Sequence, residues 1–283
     1  MTLIAGFVCS DGFVIAADTE VTGEFRTQSS KLLGAGGSGS YQLVLGAAGN
    51  DVLCDELMQG VHDDVVKQVP SIEDAEEIIR ERVRSIHNAV VFPQWSSESD
   101  PNLRLRVSLL VGLRDTSDRC CLWRSESNSI ARVTNTAFIG TGAGVAAYVA
   151  ERLFMEALPA AITHHIATQI VREAKIRGAF VGGNTDTWSV LLKNPTRPYF
   201  DIPESNVDYL WSLEDKLATA VRCALWGDND RVAKCLIFLG EQLETIRAGT
   251  AQPLAGQGDS WHTIEIGRPD LHPFRDFLIK QRR

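Results

Sequence analysis

The sequence predicts an α+β fold: two antiparallel sheets, each covered on its outer face by helices. Three observations carry this. The chain opens on two short, β-rich apolar runs joined by an Asp-Gly turn. Apolar residues then recur at helical spacing over two consecutive segments after residue 51. Strands, two more helices and a further strand follow before residue 200.

Each element has a local reason. Leu3–Cys9 and residues 13–17 flank Ser10-Asp11-Gly12 and read as a β-hairpin. Lys31 falls on a third strand. Residues 34–40, made of glycine, alanine and serine, read as a turn. They lack the Gly-Lys-Ser/Thr ending of a phosphate loop. Residues 41–48 read as a buried strand. Val52, Leu53, Leu57, Val61, Val65 and Val66 give a first helix. Ser71 and Asp74 cap the start of a second, with a stripe of Ile72, Ala75, Ile78, Ile79, Val83, Ile86 and Val90. Its charged residues form a solvated face. Residues 93–101 read as a polar loop.

Strands return at 103–114, 120–124 and 129–139, with a turn at Asp115-Thr-Ser-Asp118. Helices follow over 145–158 and from Pro159 to about Arg177. A strand over 188–192 is broken by Asn194-Pro195. Residues 1–200 thus form a core, and 201–283 a mainly helical extension. Within it, 207–226, 232–246 and 274–279 read as helices and 261–266 as a strand. The extension would cover a sheet edge, cap an entrance or mediate assembly.

Composition narrows the function. With 283 residues, 44% hydrophobic and 23% charged, the chain is long enough for a core without staples. A formal charge of −8 argues against a nucleic-acid partner. No apolar run approaches the ~20 residues of a membrane helix. The N-terminus lacks a basic region and a small-residue cleavage site, so a cytoplasmic location is expected. None of the six cysteines forms a Cys-x-x-Cys pair, and they read as reduced, mostly buried thiols. His164 and His165 are adjacent and point apart on a helix, unlike the i, i+4 pair of zinc helices. There is no Gly-x-Ser-x-Gly elbow.

The candidate chemistry lies at the ends of the first hairpin. Thr2 follows the initiator Met, and a small residue there permits removal of Met1. Thr2 would then carry both a hydroxyl nucleophile and a free α-amine, which titrates near pH ~8 when unperturbed and can act as its base. Asp18 ends the second strand and folds back beside residue 2. Lys31 suits the cation that favours the deprotonated nucleophile, and Asp18 the anion that holds it. Gly46, in Leu45-Gly46-Ala47-Ala48-Gly49, suits an oxyanion donor, because no side chain obstructs approach to its N–H.

Thr2, Asp11-Gly12, Asp18-Thr19, Lys31 and Gly46-x-Ala-Gly49 together resemble the proteasome β-subunit and HslV group of N-terminal nucleophile (Ntn) hydrolases. Gly140-Thr-Gly-Ala143 resembles the Gly-Ser-Gly segment of that group, which places Thr141 where its auxiliary hydroxyl stands. Val181-Gly-Gly183 resembles another landmark. The resemblance covers about residues 2–195. Lys31 comes a few residues early, which implies a shorter loop over 22–29 or a slipped register. The Asp and Ser that accompany the Gly-Gly landmark are Gly178 and Val181 here.

The resemblance implies a four-layer αββα sandwich and a threonine-type endopeptidase. The substrate would be a peptide or unfolded protein, with no metal or organic cofactor. It also implies a homo-oligomeric ring, in a family whose rings often work with an ATPase partner; nothing in the sequence identifies one. Two alternatives stand beside it: a non-catalytic ring or scaffold subunit of the same fold, and an amidohydrolase acting on a small amide.

Overall fold

The computed structural model describes residues 2–22, 26–36, 41–68, 71–101, 103–178 and 181–192, with Val232, Lys234 and Ile237. The chain divides into two units, Met1–Asp208 and Tyr209–Arg283. The elements below belong to the first. The readings over 201–283 fall outside the described residues, save that those three are helical.

The chain runs β1 (Leu3–Cys9), β2 (Gly12–Asp18), β3 (Glu20–Thr22), β4 (Arg26–Gln28), β5 (Leu32–Gly36) and β6 (Gln42–Gly49). Helices α1 (Asp51–Gln68), α2 (Ile72–Ile86) and α3 (Phe92–Ser97) follow. Then come β7 (Val107–Arg114), β8 (Cys120–Glu126), β9 (Ser129–Arg132) and β10 (Thr136–Gly140). The last elements are α4 (Ala143–Leu153), α5 (Ala160–Arg177) and β11 (Thr185–Leu191). One sheet has the order β10-β1-β2-β11 and the other β5-β6-β7-β8-β9, with β3-β4 a separate ribbon. All the pairings are antiparallel.

Three apolar layers make this an αββα sandwich. In β1, alternate residues Leu3, Ala5 and Phe7 pack with Ala146 and Val149 of α4 and Ile170 and Val171 of α5. Ile4 faces the opposite way, with Phe13 and Ile15, and meets Val44, Leu110 and Leu122 of the other sheet. The far side of that second sheet, including Leu43, Leu45, Leu109 and Val111, packs with Leu57 and Val61 of α1 and Ile79 and Val83 of α2. Because both faces of β1 and β2 are covered, their sequences are almost continuously apolar. Full burial of one such side chain contributes about 1.5–3 kcal/mol.

The turn of the first hairpin has a second task. Pro159 stands at the N-cap of α5 and offers no capping side chain. Asp11 supplies the cap from outside, its Oδ1 accepting the Ala160 N–H at 2.7 Å. At the head of α2, Ser71 accepts the Asp74 N–H at 3.2 Å, as the sequence predicts.

Several boundaries differ from the sequence reading. Residues 34–36, read as part of a turn, belong to β5. The strand expected over 103–114 starts only at Val107. The strand expected over 129–139 is two strands in different sheets, β9 and β10, separated at residues 133–135. Both pieces are β-rich, so sequence pattern alone does not reveal the crossing. The polar loop expected over 93–101 begins as helix α3.

A π-turn over His87–Val91 joins α2 to α3, with Phe92 N–H bonded to His87 O. It lies directly before Pro93, which lacks an N–H and whose ring would press on the carbonyl four residues back in a regular helix. The extra residue rotates the buried stripe, so Val91 is buried and Val90 exposed. In α1, Leu53, Cys54, Leu57, Val61 and Val65 are buried, while Val52 and Val66 face outward. The helix expected over 145–158 spans Ala143–Leu153.

No helix among the described residues is long and apolar enough to cross a membrane. Cys9, Cys54, Cys120 and Cys121 are free thiols, whereas Cys223 and Cys235 lie outside the described residues.

Candidate active site

Asp18 is the centre of the site. It ends β2, beside the start of β1, because the hairpin register pairs Ile4 with Ala17. Its carboxylate is fully buried, and three donors meet it. Oδ1 accepts the Leu3 N–H at 2.8 Å and the Lys31 ammonium at 2.9 Å. Oδ2 accepts the Gly182 N–H at 3.2 Å. The peptide that follows Thr2 and the Lys31 side chain therefore share one oxygen. Lys31 is 9% exposed. Burial lowers its pKa below the usual 10.5, opposed by the charge and hydrogen bond of Asp18 and then by Asp51 and Glu20.

Local structure explains the early place of Lys31 in the sequence. After Asp18 the chain forms the tight β3–β4 ribbon and comes straight back, with the Ser29 N–H bonded to Thr19 O at 2.9 Å. The loop is short, as one sequence reading allowed. Lys31 then directly precedes β5, whose outermost rung on β6 is Leu32 opposite Gly46. Lys31 is thus delivered between Asp18 and the Gly46 segment.

Gly46 lies inside the ladder, opposite Leu32 on one side and Leu110 on the other. A Cβ there would sit 3.0 Å from Ile4 Cδ1, Ile4 Cγ2 and Leu32 Cδ2. Close sheet-to-sheet approach therefore accounts for a glycine at this position, independently of any oxyanion.

Thr2 is partly buried. Its carbonyl accepts the Gly142 N–H at 3.4 Å and runs against Gly140. Gly140 has φ of +92°, and a Cβ there would overlap the Thr2 carbonyl oxygen. Thr141 is exposed in the turn between these two glycines, at the head of α4. Thr2, Asp18, Lys31, Gly46 and Thr141 are gathered at one end of the sandwich, where β1 and β5 begin and β2 and β10 end.

The sequence reading missed the second half of the Asp18 cradle. It took Val181-Gly-Gly183 as a landmark that had lost its polar partners. In the structure the segment contributes backbone. Gly182 donates to Asp18, and Gly182 O accepts the Glu20 N–H at 3.1 Å. Thr19 Oγ1 accepts the Asn184 N–H at 2.7 Å. The signal was the Gly-Gly pair itself, before a strand that pairs Thr185 with Asp18. Val181 is buried, within 2.7 Å of where a Cβ on Gly142 would stand. Gly178 caps the end of α5.

Away from this end, His164 is buried, with Nδ1 2.6 Å from Ser189 Oγ. Burial, followed by the charge of His165, pulls its pKa down to about 4. Among the described residues no group of three or more His, Cys, Asp or Glu could hold a metal ion.

No protein family and no curated protein matches the sequence. Solved structures do match the fold. An Anbu (Gly-1) mutant from Hyphomicrobium sp. strain MC1 superposes with a TM-score of 0.61 at 17% identity, over 78% of this chain and 97% of that one. Anbu, described as an ancestral beta-subunit, from Yersinia bercovieri gives 0.60 at 16% identity, over 77% and 95%. The helical assembly of the Anbu complex from Pseudomonas aeruginosa gives 0.62 at 19%, over 77% and 96%.

The fold is therefore the proteasome-like Ntn fold. The assignment to the proteasome β-subunit and HslV group is corrected: the three structures just named are Anbu chains, and at 16–19% identity the likeness reaches the fold and no particular branch of it. The physical reason lies in the motifs. Gly46 is required by sheet packing, Gly140 by the Thr2 carbonyl and the Gly182 segment by the cradle of Asp18. Residues that build the fold do not separate its branches.

Proposed function

We propose that this chain is an N-terminal-threonine peptidase of proteasome-like fold, with Thr2 as nucleophile once Met1 is removed. The observation that carries the reading is the Asp18 carboxylate, which holds Lys31 and the peptide after Thr2 on one oxygen. A buried ammonium fixed beside the nucleophile favours the deprotonated hydroxyl. The Thr2 α-amine, directly or through water, takes the hydroxyl proton. The oxygen attacks a peptide carbonyl, the oxyanion forms against the Gly46 N–H, and the amine returns the proton to the leaving group. Water then hydrolyses the acyl-enzyme. Thr141, beside Thr2, is the auxiliary hydroxyl. The steps use no metal or organic cofactor.

Residues 1–200 form the catalytic core in this reading, and 201–283 an appended extension. The chain also assembles with copies of itself, by analogy with the Anbu complex described as a helical assembly.

Intact mass after incubation with a peptide epoxyketone tests the proposal, because such reagents trap the amine and hydroxyl of a terminal threonine together. Loss of Met1 and one adduct, absent in Thr2→Ala, is expected. Retained Met1 with no adduct would overturn it. That result would favour the second reading, a non-catalytic scaffold subunit, for which the apolar Val181 beside Gly142 is the supporting feature.

A further inference from the structure

Resting on the hydrolase reading above, we infer that Thr19 is a positioning residue: its hydroxyl holds in place the two segments that bring Gly182 and Lys31 to Asp18. Thr19 stands where two ladders meet. The β2–β11 register pairs Asp18 with Thr185, and one step further it sets Thr19 opposite Asn184. The β3–β4 register pairs Glu20 with Gln28, and one step back it sets Thr19 opposite Ser29.

In a hydrogen-bonded antiparallel pair, each residue gives its N–H and receives on its carbonyl. The Thr19 N–H goes to Asn184 O at 3.0 Å, but the Thr19 carbonyl serves the other ladder and accepts the Ser29 N–H at 2.9 Å. The return bond from Asn184 is met by the side chain, its N–H donating to Thr19 Oγ1 at 2.7 Å. The hydroxyl thus stands in for a carbonyl that is already engaged. Thr19 is 6% exposed, which leaves little access for water as a substitute. Gly183 closes on the same oxygen: its φ is +70°, and a Cβ there would stand 2.6 Å from Thr19 Oγ1.

Both ladders lead to Asp18. Gly182, two residues before Asn184, donates to Oδ2, and Lys31, two residues after Ser29, donates to Oδ1. Without the hydroxyl, the Asn184 N–H is stranded or competes with Ser29 for one carbonyl. Either result displaces a donor of the Asp18 carboxylate, which sets where the Lys31 ammonium stands beside Thr2. A shift of about 1 Å in such a group can cost ~10²-fold in rate.

The test compares the unaltered full chain with Thr19→Val, which keeps the shape and removes the hydroxyl, and with Thr19→Ser, which keeps the hydroxyl. Thr19→Ala is a second hydroxyl-free variant. Labelling by a peptide epoxyketone is followed by intact mass against pH, below the melting temperature of each protein. Thr19→Val and Thr19→Ala are expected to label roughly tenfold slower or worse, and Thr19→Ser close to the unaltered rate. The alkaline limb should move as well. Burial lowers the Lys31 pKa, while the charge and then the hydrogen bond of Asp18 hold it up, with Asp51 and Glu20 behind them. A displaced pair weakens the Asp18 contributions, so Lys31 loses its proton at lower pH and labelling falls off earlier. Thr19→Ser should restore that limb.

Thr19→Val or Thr19→Ala labelling at the unaltered rate with the limb unmoved would overturn the inference and leave the hydrolase standing. So would Thr19→Ser as slow as Thr19→Val. A lower melting temperature with rate and limb unchanged would mark a purely structural role and overturn it too. No adduct on the unaltered chain would remove the hydrolase reading and this inference together.

Discussion

Asp18→Asn is the most informative single change, because it keeps the shape of the side chain and removes its charge. Lys31 is 9% exposed and Asp18 fully buried, so solvent screens their attraction little. Breaking a buried pair from one side typically costs ~3–5 kcal/mol, since the remaining charge loses the counter-charge it touches. The amide also turns a donor toward Lys31 or toward the Gly182 N–H, whichever its nitrogen faces, and one stranded donor adds about 1–3 kcal/mol. From the ion pair alone, a fall in Tm of roughly 6–20 °C is expected for a chain of this size.

Lys31→Met should recover a large part of that loss in the double variant, because it removes the stranded ammonium. The deficit of the single variant should also shrink as pH rises. Asp18 is the largest influence opposing the burial that lowers the Lys31 pKa, so its loss lowers that pKa further; over the interval between the two folded values the variant alone gains stability as pH rises, because there its unfolded chain binds more protons than its folded one. Urea titrations of the four-membered mutant cycle at neutral and alkaline pH measure both effects. Additive losses, with Lys31→Met giving no rescue, would refute the claim that this pair organises the site.

Other outcomes follow from particular contacts. Gly140→Ala forces a side chain onto the Thr2 carbonyl at φ of +92°; it should cost ~1–3 kcal/mol or more and abolish epoxyketone labelling, read by thermal melts and intact mass. Gly46→Ala should cost about 1–3 kcal/mol through overpacking against Ile4 and Leu32, and Ile4→Val should relieve part of it in denaturant titrations. Burial holds the His164 pKa near 4, so its contribution to stability is complete above pH 6.5 and lost as pH falls toward 4. That loss is roughly 3 kcal/mol at most, and His164→Gln should flatten the acid limb of the stability profile. Burial pushes the thiols of Cys9, Cys54 and Cys120 up to about 12. They should resist alkylation at pH 8 until the chain is unfolded, as mapped by peptide mass.

Much of the layered fold was legible from local signals. The Asp-Gly hairpin, the Ser71 cap and the helical stripes are set by residues close in sequence. The same holds for the order of strands and helices that yields two covered sheets. What failed were places where neighbours in space overrule local pattern. Residues 129–139 read as one strand because both halves are β-rich, yet they serve two sheets. Val90 lost its core position to Val91 because one π-turn before Pro93 rotated the face.

The sequence by itself determined which groups are available at the candidate site: a threonine at position 2, a carboxylate at the end of the second strand and a lysine after a short return. Only the tertiary structure decided how they are held. The Asp18 cradle draws on Leu3, Lys31 and Gly182, and two of these are backbone N–H groups that carry no side-chain signature. Every residue except proline has such a donor, so its aim is fixed by strand register and sheet packing. The identity of the side chain does not reveal it.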